Sequence, residues 1–352
     1  MSPRRGFRSD NNAGLCTEAL DALAGSNDAS HLVGYGDDAY TSEAVEAFRA
    51  AFGSECDVFF VATGTAANVL AIASLTEPWQ QVLCQRHSHY VEHESTAPER
   101  ITGCRTRAIG SAESDRIALE DLAGLSGFEP GDVHEAQPGV LTLTNATELG
   151  TVYTPTELRA LCDRAHALGY RVHVDGARFA NAVASLGCDP RELSVAAGVD
   201  ALSFGGTKNG LAFGEAVLFF PQADGSQQRR AVQRFPYLRK SAGHLLSKHR
   251  FLSAPFTAVL RDGAWLRHAG HANAMATRLA EGLVALGIDP VFPVQTNGVF
   301  VRLPAAIDAA LKQAGYGYYP FGAPGDGISR LLCSFDTRPE EIDDLLEVAG
   351  AA

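Results

Sequence analysis

Residues 58–62 (VFFVA) form an apolar run that ends in Thr-Gly-Thr and passes directly into a helical pattern, AANVLAIASL. A short buried strand that turns at once into a helix is half of a βαβ unit, and repeating it commits a chain to a mostly parallel sheet covered by helices. The repeats are present. Apolar strands are expected at 141–144, 170–174 (YRVHV, ending at Asp175), 201–204 (ending at Gly205 and Gly206) and 216–220, with an amphipathic helix at 155–168 between the first two. Residues 41–52 open on a Thr-Ser cap and continue with apolar residues at helical spacing. From about Phe235 the pattern turns helical (HLLSKHRFLSAPFTAVL, then NAMATRLAEGLVALG). It closes with strands near VFVRL and RLLCSF and a last acidic helix. The expected organisation is a larger α/β domain over 1–240, with its N-terminal segment 1–15, and a smaller C-terminal α+β domain over 241–352. At 352 residues the chain is long enough for both.

Composition narrows the partners. A net charge of −12 speaks against nucleic acid and anionic membranes, which need a basic surface. No stretch reaches the length of a membrane span, and no apolar run follows the first residues as in a secretory signal. The seven cysteines are scattered, odd in number and never in a C-x-x-C pair, which argues against a disulfide framework or structural zinc and for a reducing, cytoplasmic setting. Only four basic residues are lysines: Lys208, Lys240, Lys248 and Lys312. Chemistry that needs a primary amine has those four candidates.

Three strand ends carry polar groups. In ATGTAAN (62–68), Gly64 lets an anion approach the free N–H groups of a helix start, with Thr63 and Thr65 hydroxyls beside it. The same residues also suit an ordinary Thr-capped turn. In HVDGARFANA, Asp175 stands at the carboxyl end of a strand, where ligands of open α/β sheets bind, with Arg178 three residues on. A helix-capping Asp paired with Arg178 fits equally well. In SFGGTKNG, Lys208 follows two glycines and Thr207 in a tight bend. Together a phosphate cradle, a strand-end acid and a Gly-flanked lysine are what a pyridoxal phosphate site requires: the lysine bonds the cofactor, the acid faces the ring nitrogen, and the helix start holds the phosphate. A fourth stretch, RHSHYVEHES (86–95), gathers His87, His89 and His93 around Glu92 and Glu94. Its residues alone suit a metal site, an acid/base cluster, a bed for an aromatic cofactor or a solvated turn.

These motifs, with RSDNNAG (8–14), GYGDD (34–38), DVH (132–134), TNATELGTVY (144–153), RFPYLRKSAGHLLSKHRFLSA (234–254) and SRLLCSFDT (329–337), make the chain resemble the low-specificity L-threonine aldolases. These belong to the aspartate aminotransferase superfold of pyridoxal phosphate enzymes. The resemblance implies a fold-type I α/β architecture and pyridoxal 5'-phosphate held as an aldimine on Lys208. Gly64, Thr65, Thr207 and Lys248 would hold the phosphate, Asp175 and Arg178 would face the cofactor, and His89 would lie against its ring. Glu94 would orient His89 or a water. The substrate would meet Ser9, Tyr35, His134, Arg178 and Arg330, with the two arginines on its carboxylate and His134 or His89 as the base. The implied reaction is reversible cleavage of L-threonine, L-allo-threonine and β-aryl-serines to glycine and an aldehyde, with no metal. The implied assembly is a homodimer as catalytic unit, with Tyr35, Lys248 and Arg250 lent by the neighbouring subunit, within a homotetramer. TGT stands where Ser-Gly-Thr is common, and Leu211, Ala212 and Phe213 flank the lysine where they would shape the aldehyde pocket. Two other readings stand beside this one. One is another pyridoxal phosphate-dependent β-eliminating lyase or transaminase; the other is a non-catalytic cofactor- or metal-binding protein using His89 and His93.

Overall fold

The computed structural model describes residues 6–27, 31–111, 114–125, 131–221, 226–322 and 325–352. The expected buried runs form β1 (Asp57–Val61), β4 (Gln137–Thr144), β5 (Arg171–Gly176), β6 (Ala201–Gly205) and β7 (Glu215–Phe219). Two further strands, β2 (Gln80–Gln85) and β3 (Arg105–Ile109), complete a seven-stranded sheet in the order β1-β7-β6-β5-β4-β2-β3. Strands β2 to β6 run parallel, and β7 runs antiparallel to both β6 and β1. The sequence pattern hides β2 and β3 for different reasons. Glutamines bracket the apolar centre of β2, and β3 is an edge strand whose arginines point outward (RTRAI), a common way to blunt an exposed sheet edge.

Side chains alternate between the two faces of the sheet. On one, Phe48, Phe52, Phe60, Phe179, Phe204 and Phe256 form a buried aromatic core beneath the ends of β5 and β6. On the other, Val61, Val217 and Phe219 meet the helix Gly64–Leu75 and Phe235. That helix is buried continuously from Ala66 to Ser74, which explains why it is apolar all round and not amphipathic.

The helix expected at 41–52 starts at Ala39. Its cap is Asp38 and not the Thr-Ser pair, because the Asp38 carboxylate accepts from the Thr41 N–H at 2.9 Å and the Thr41 hydroxyl at 3.0 Å. The C-terminal helical stretch is also divided differently. The helix Ser226–Ser241 runs through Phe235, HLLS lies outside any helix, and Arg250–Arg261 and Ala264–Ala285 follow. A second sheet, with strands β8 (Gly298–Val301), β9 (Tyr319–Phe321) and β10 (Ile328–Leu332), is antiparallel in the order β8-β10-β9. Its own core joins Leu279, Leu283, Val299, Leu331 and Leu345 to Phe7. The N-terminal segment is tied there by Leu332 N–H to Phe7 O at 2.9 Å, which brings Ser9 and Asp10 alongside the large sheet's strand ends.

Candidate active site

The three strand ends singled out above converge. After β1, Thr63 caps the following helix, its hydroxyl accepting from the Ala66 N–H at 3.3 Å. The N–H groups of Gly64 and Thr65 find no acceptor among the described residues, and a Cβ placed on Gly64 would meet open space. At the end of β5, Asp175 is buried, 5% exposed. Its Oδ1 accepts from the Ala177 N–H at 2.9 Å and its Oδ2 from Asn68 Nδ2 at 2.8 Å. After β6, the chain lies so close to that loop that a Cβ on Gly205 would sit 2.3 Å from the Ala177 carbonyl oxygen, and one on Gly206 would sit 2.5 Å from that of Gly214. Only glycines let the turn Thr207–Asn209, which carries Lys208, seat against the Asp175–Arg178 segment.

Lys208 opens into a cavity of about 980 Å³ shared with Ser9, His89, Arg178, Tyr319 and Arg330. Arg178 is held in a bidentate pair by Asp10, Nε to Oδ2 at 2.7 Å and Nη2 to Oδ1 at 3.0 Å, a geometry that aims a guanidinium rigidly. Burial pushes the Asp10 carboxyl up, but Arg178, Lys208 and the Asn297 amide outweigh it and hold it below the usual carboxylate range. Arg330, on β10, has a buried Nε with no hydrogen-bond partner. Burial, then the charge of Arg178, lowers its proton affinity. Two guanidinium groups that disfavour one another, one with an orphaned donor, make a receptor for a carboxylate.

All three histidines border the cavity, with His89 the more buried and His87 and His93 at its exposed rim. His89 Nδ1 lies 3.1 Å from Glu94 Oε1. The same Oε1 accepts from Asn68 Nδ2 at 2.8 Å, so one amide ties Glu94 to Asp175. The hydrogen bond that His89 donates to Glu94 raises the affinity of His89 for a proton despite partial burial. Burial raises the Glu94 carboxyl in turn, against the pull of His89 and Asn68. His87 pairs with Glu92 at 3.0 Å, with both side chains largely exposed, and His93 sits 3.8 Å from Glu92. Among the described residues, the cluster of three possible metal donor atoms within 4.8 Å of one another is Cys16, Glu18 and His268. The histidines at 87, 89 and 93 do not converge in that way.

Other expected residues stand elsewhere. Thr207 bonds the Glu215 carboxylate through its side chain. His134 lies on an exposed loop, its N–H donating to Asp132 Oδ1 at 2.8 Å, and it does not line the cavity. Tyr35 and Lys248 are exposed and adjacent, with the Tyr35 N–H donating to Ser247 O at 2.9 Å; they too are outside the cavity lining of their own chain. Arg250 Nε donates to Ser26 O at 2.9 Å. Asp10, Asn68, Glu215, His173 and Asn297 were not anticipated as site residues. His173, buried between the Thr142 and Ser203 hydroxyls at 2.9 Å each, is pushed down to about 4 by burial and stays neutral while it ties β4, β5 and β6 together. A readable signal existed for two of these. Asn68 and Glu215 are polar residues inside otherwise apolar buried segments, and such groups need partners.

A family model described as Beta-eliminating lyase matches residues 6–306. A protein named Low specificity L-threonine aldolase from Pseudomonas aeruginosa is 44% identical over 340 residues, covering 96% of this chain and 95% of that one. The chain belongs to the low-specificity L-threonine aldolase family. A second aldolase of the same name, from Pseudomonas sp. (strain NCIMB 10558), is 42% identical over 96% of this chain and 95% of its own length. The solved threonine aldolase from Leishmania major superposes with a TM-score of 0.89 at 27% identity, over 98% of each chain. The family's cofactor is pyridoxal 5'-phosphate, and the residues present suit it. Gly64 and Thr65 offer unused N–H donors beside open space for a phosphate, and the buried Asp175 carboxylate, held by Asn68 and Ala177, suits a ring N–H. Lys208 supplies the amine and His89 a flat aromatic neighbour in the same cavity.

Proposed function

We propose that this chain cleaves L-threonine, L-allo-threonine and β-aryl-serines reversibly to glycine and an aldehyde, with Lys208 as the lysine that carries the cofactor. Pyridoxal phosphate bound there supplies an electron sink for the pair released from the Cα–Cβ bond. The chain's own residues do the rest. Asp175 would face the ring nitrogen, and the free N–H groups of Gly64 and Thr65 would hold the phosphate. Arg178, pre-aimed by Asp10, and Arg330, with its free Nε, hold the substrate carboxylate with Ser9 at the rim. Fixing the carboxylate would fix which Cα bond the cofactor activates, and such orientation is worth up to about 7–11 kcal/mol of barrier.

His89 takes the β-hydroxyl proton. Glu94 at Nδ1 fixes the tautomer with the proton on that nitrogen, so Nε2 remains the acceptor. A positioned base of this kind contributes about 10²–10⁴-fold. His134 sits outside its own chain's cavity, which supports His89 over His134 as the base in this reading.

The proposal extends to the assembly. A homodimer is the catalytic unit, Tyr35, Lys248 and Arg250 serve the neighbouring subunit's site, two dimers form a tetramer, and the enzyme works in the cytoplasm. Residues 1–240 form the cofactor-binding domain, whose aromatic core also takes in Phe256 of the helix Arg250–Arg261, and the smaller domain that follows lends Arg330. Among the described residues, no helix is long and apolar enough to cross a membrane.

The carrying observation is that Lys208, His89 and two arginines, one with an orphaned buried donor, line a single cavity. Purified protein should be yellow, lose its visible band in Lys208→Ala, and release acetaldehyde and glycine in equal amounts from L-threonine. Pyruvate formation or amino-group exchange without aldehyde release would replace this reading with a β-eliminating lyase or transaminase.

A further inference from the structure

We propose that Glu215 is a positioning residue for Lys208, clamping the turn that carries the lysine and adding a negative charge near its nitrogen beside that of Asp10. This rests on the reading of Lys208 as the cofactor-bearing residue. Strand β7 lies between β1 and β6, and Glu215 pairs in register with Val61 on one side and Gly205 on the other. It therefore sits level with both the phosphate cradle and the lysine turn. A strand with apolar neighbours on both sides has no need of an acid there, and a buried carboxylate is costly unless its oxygens are satisfied. Glu215 is 7% exposed. Its Oε2 accepts from the Gly206 N–H at 2.7 Å, and its carboxylate bonds the Thr207 side chain. Those are the two residues before Lys208.

The charged groups that act on Glu215 are Lys208, on the turn after β6, and Asp175, at the end of β5, in opposite directions. Burial, only partly offset by the Gly206 and Thr207 hydrogen bonds and by Lys208, pushes its carboxyl up to about 7. Glu215 therefore changes charge near neutral pH. A glutamine at 215 keeps an oxygen for Gly206 but fixes the neutral form at every pH.

The test is a pH titration of the visible band of the holoenzyme in wild type and Glu215→Gln. Loss of the carboxylate weakens proton binding at the lysine-derived nitrogen, so the band's midpoint should fall by about one pH unit, a tenfold change. The turnover number should fall while KM for threonine changes little. A midpoint and turnover number matching wild type would overturn the proposal. Should Glu215→Gln not fold, the protonated carboxyl of Glu215 can be followed by difference infrared spectroscopy in wild type and Lys208→Ala. Its midpoint should rise when the lysine charge is removed, and an unmoved midpoint is equally fatal. A wild-type protein with no visible band, or a Lys208→Ala protein that retains one, would instead overturn the underlying assignment of Lys208.

Discussion

Replacing Asp10 with alanine removes the partner of a charge that has little other recourse. The Arg178 side chain is 10% exposed and that of Asp10 is 1% exposed. The two bonds at 2.7 and 3.0 Å satisfy Nε and one Nη2 hydrogen, and Asn297 adds a third contact to Asp10 at 3.1 Å. Truncating one member of such a pair costs about 3–5 kcal/mol, because the other is left charged and buried. Arg178 borders a cavity that water can enter, so the lower end, about 3 kcal/mol, is expected; at about 1.4 kcal/mol per decade that is more than a hundredfold in the folding equilibrium. Urea unfolding of both proteins without cofactor at pH 7 measures it. The sign with pH is also fixed. The Asp10 carboxyl is held below its ordinary value in the folded protein, so its stabilisation is complete above the unfolded value of about 3.9 and is lost as pH falls through the lower folded value. The gap between the two proteins should therefore narrow at acid pH. A loss of less than about 1 kcal/mol at pH 7, in the range of exposed pairs, or a gap that persists undiminished at strongly acid pH, would refute the picture of a buried, charge-matched pair.

Glu94→Gln removes the hydrogen-bonding carboxylate that raises His89, so the acid limb of the pH–rate profile, where His89 gains its proton and ceases to act as base, should move to lower pH. An unshifted limb would remove His89 from the proton transfer. Arg330→Ala should reduce kcat/KM for L-threonine by about 10–100-fold, the worth of a hydrogen bond to a charged group, while leaving the visible band intact; steady-state kinetics beside a spectrum separates the two effects. Gly205→Ala would press a Cβ to 2.3 Å from the Ala177 carbonyl oxygen. It should therefore displace the lysine turn at a cost of about 1–3 kcal/mol and weaken cofactor retention, read by the visible band after dialysis.

What was legible in the sequence is what local backbone chemistry writes down. VFFVA-TGT, HVDG and SFGGTK each couple a buried run to a turn that needs particular residues, and each lies where a strand of the large sheet ends. The contacts that make those ends into a site are not local. Asp10 meets Arg178 across 168 positions, Asn68 meets Asp175 across 107, and Asn68 meets Glu94 across 26. In SDNN, Asp10 looks like any turn acid, and nothing beside it announces an arginine partner. The outward arginines of β3 concealed an edge strand for a similar reason, since an edge is defined by what fails to pair with it. Yet Asn68 within AANVLAIASL and Glu215 before AVLFF break the composition of elements buried almost throughout. In such a place a polar side chain is stable only if its donors and acceptors are met. Both residues turn out to be joints, Asn68 between two carboxylates and Glu215 on the lysine turn. The turns in this chain thus mark where the proposed site is, and the solitary polar residues in its buried segments mark how the side chains proposed for catalysis are held.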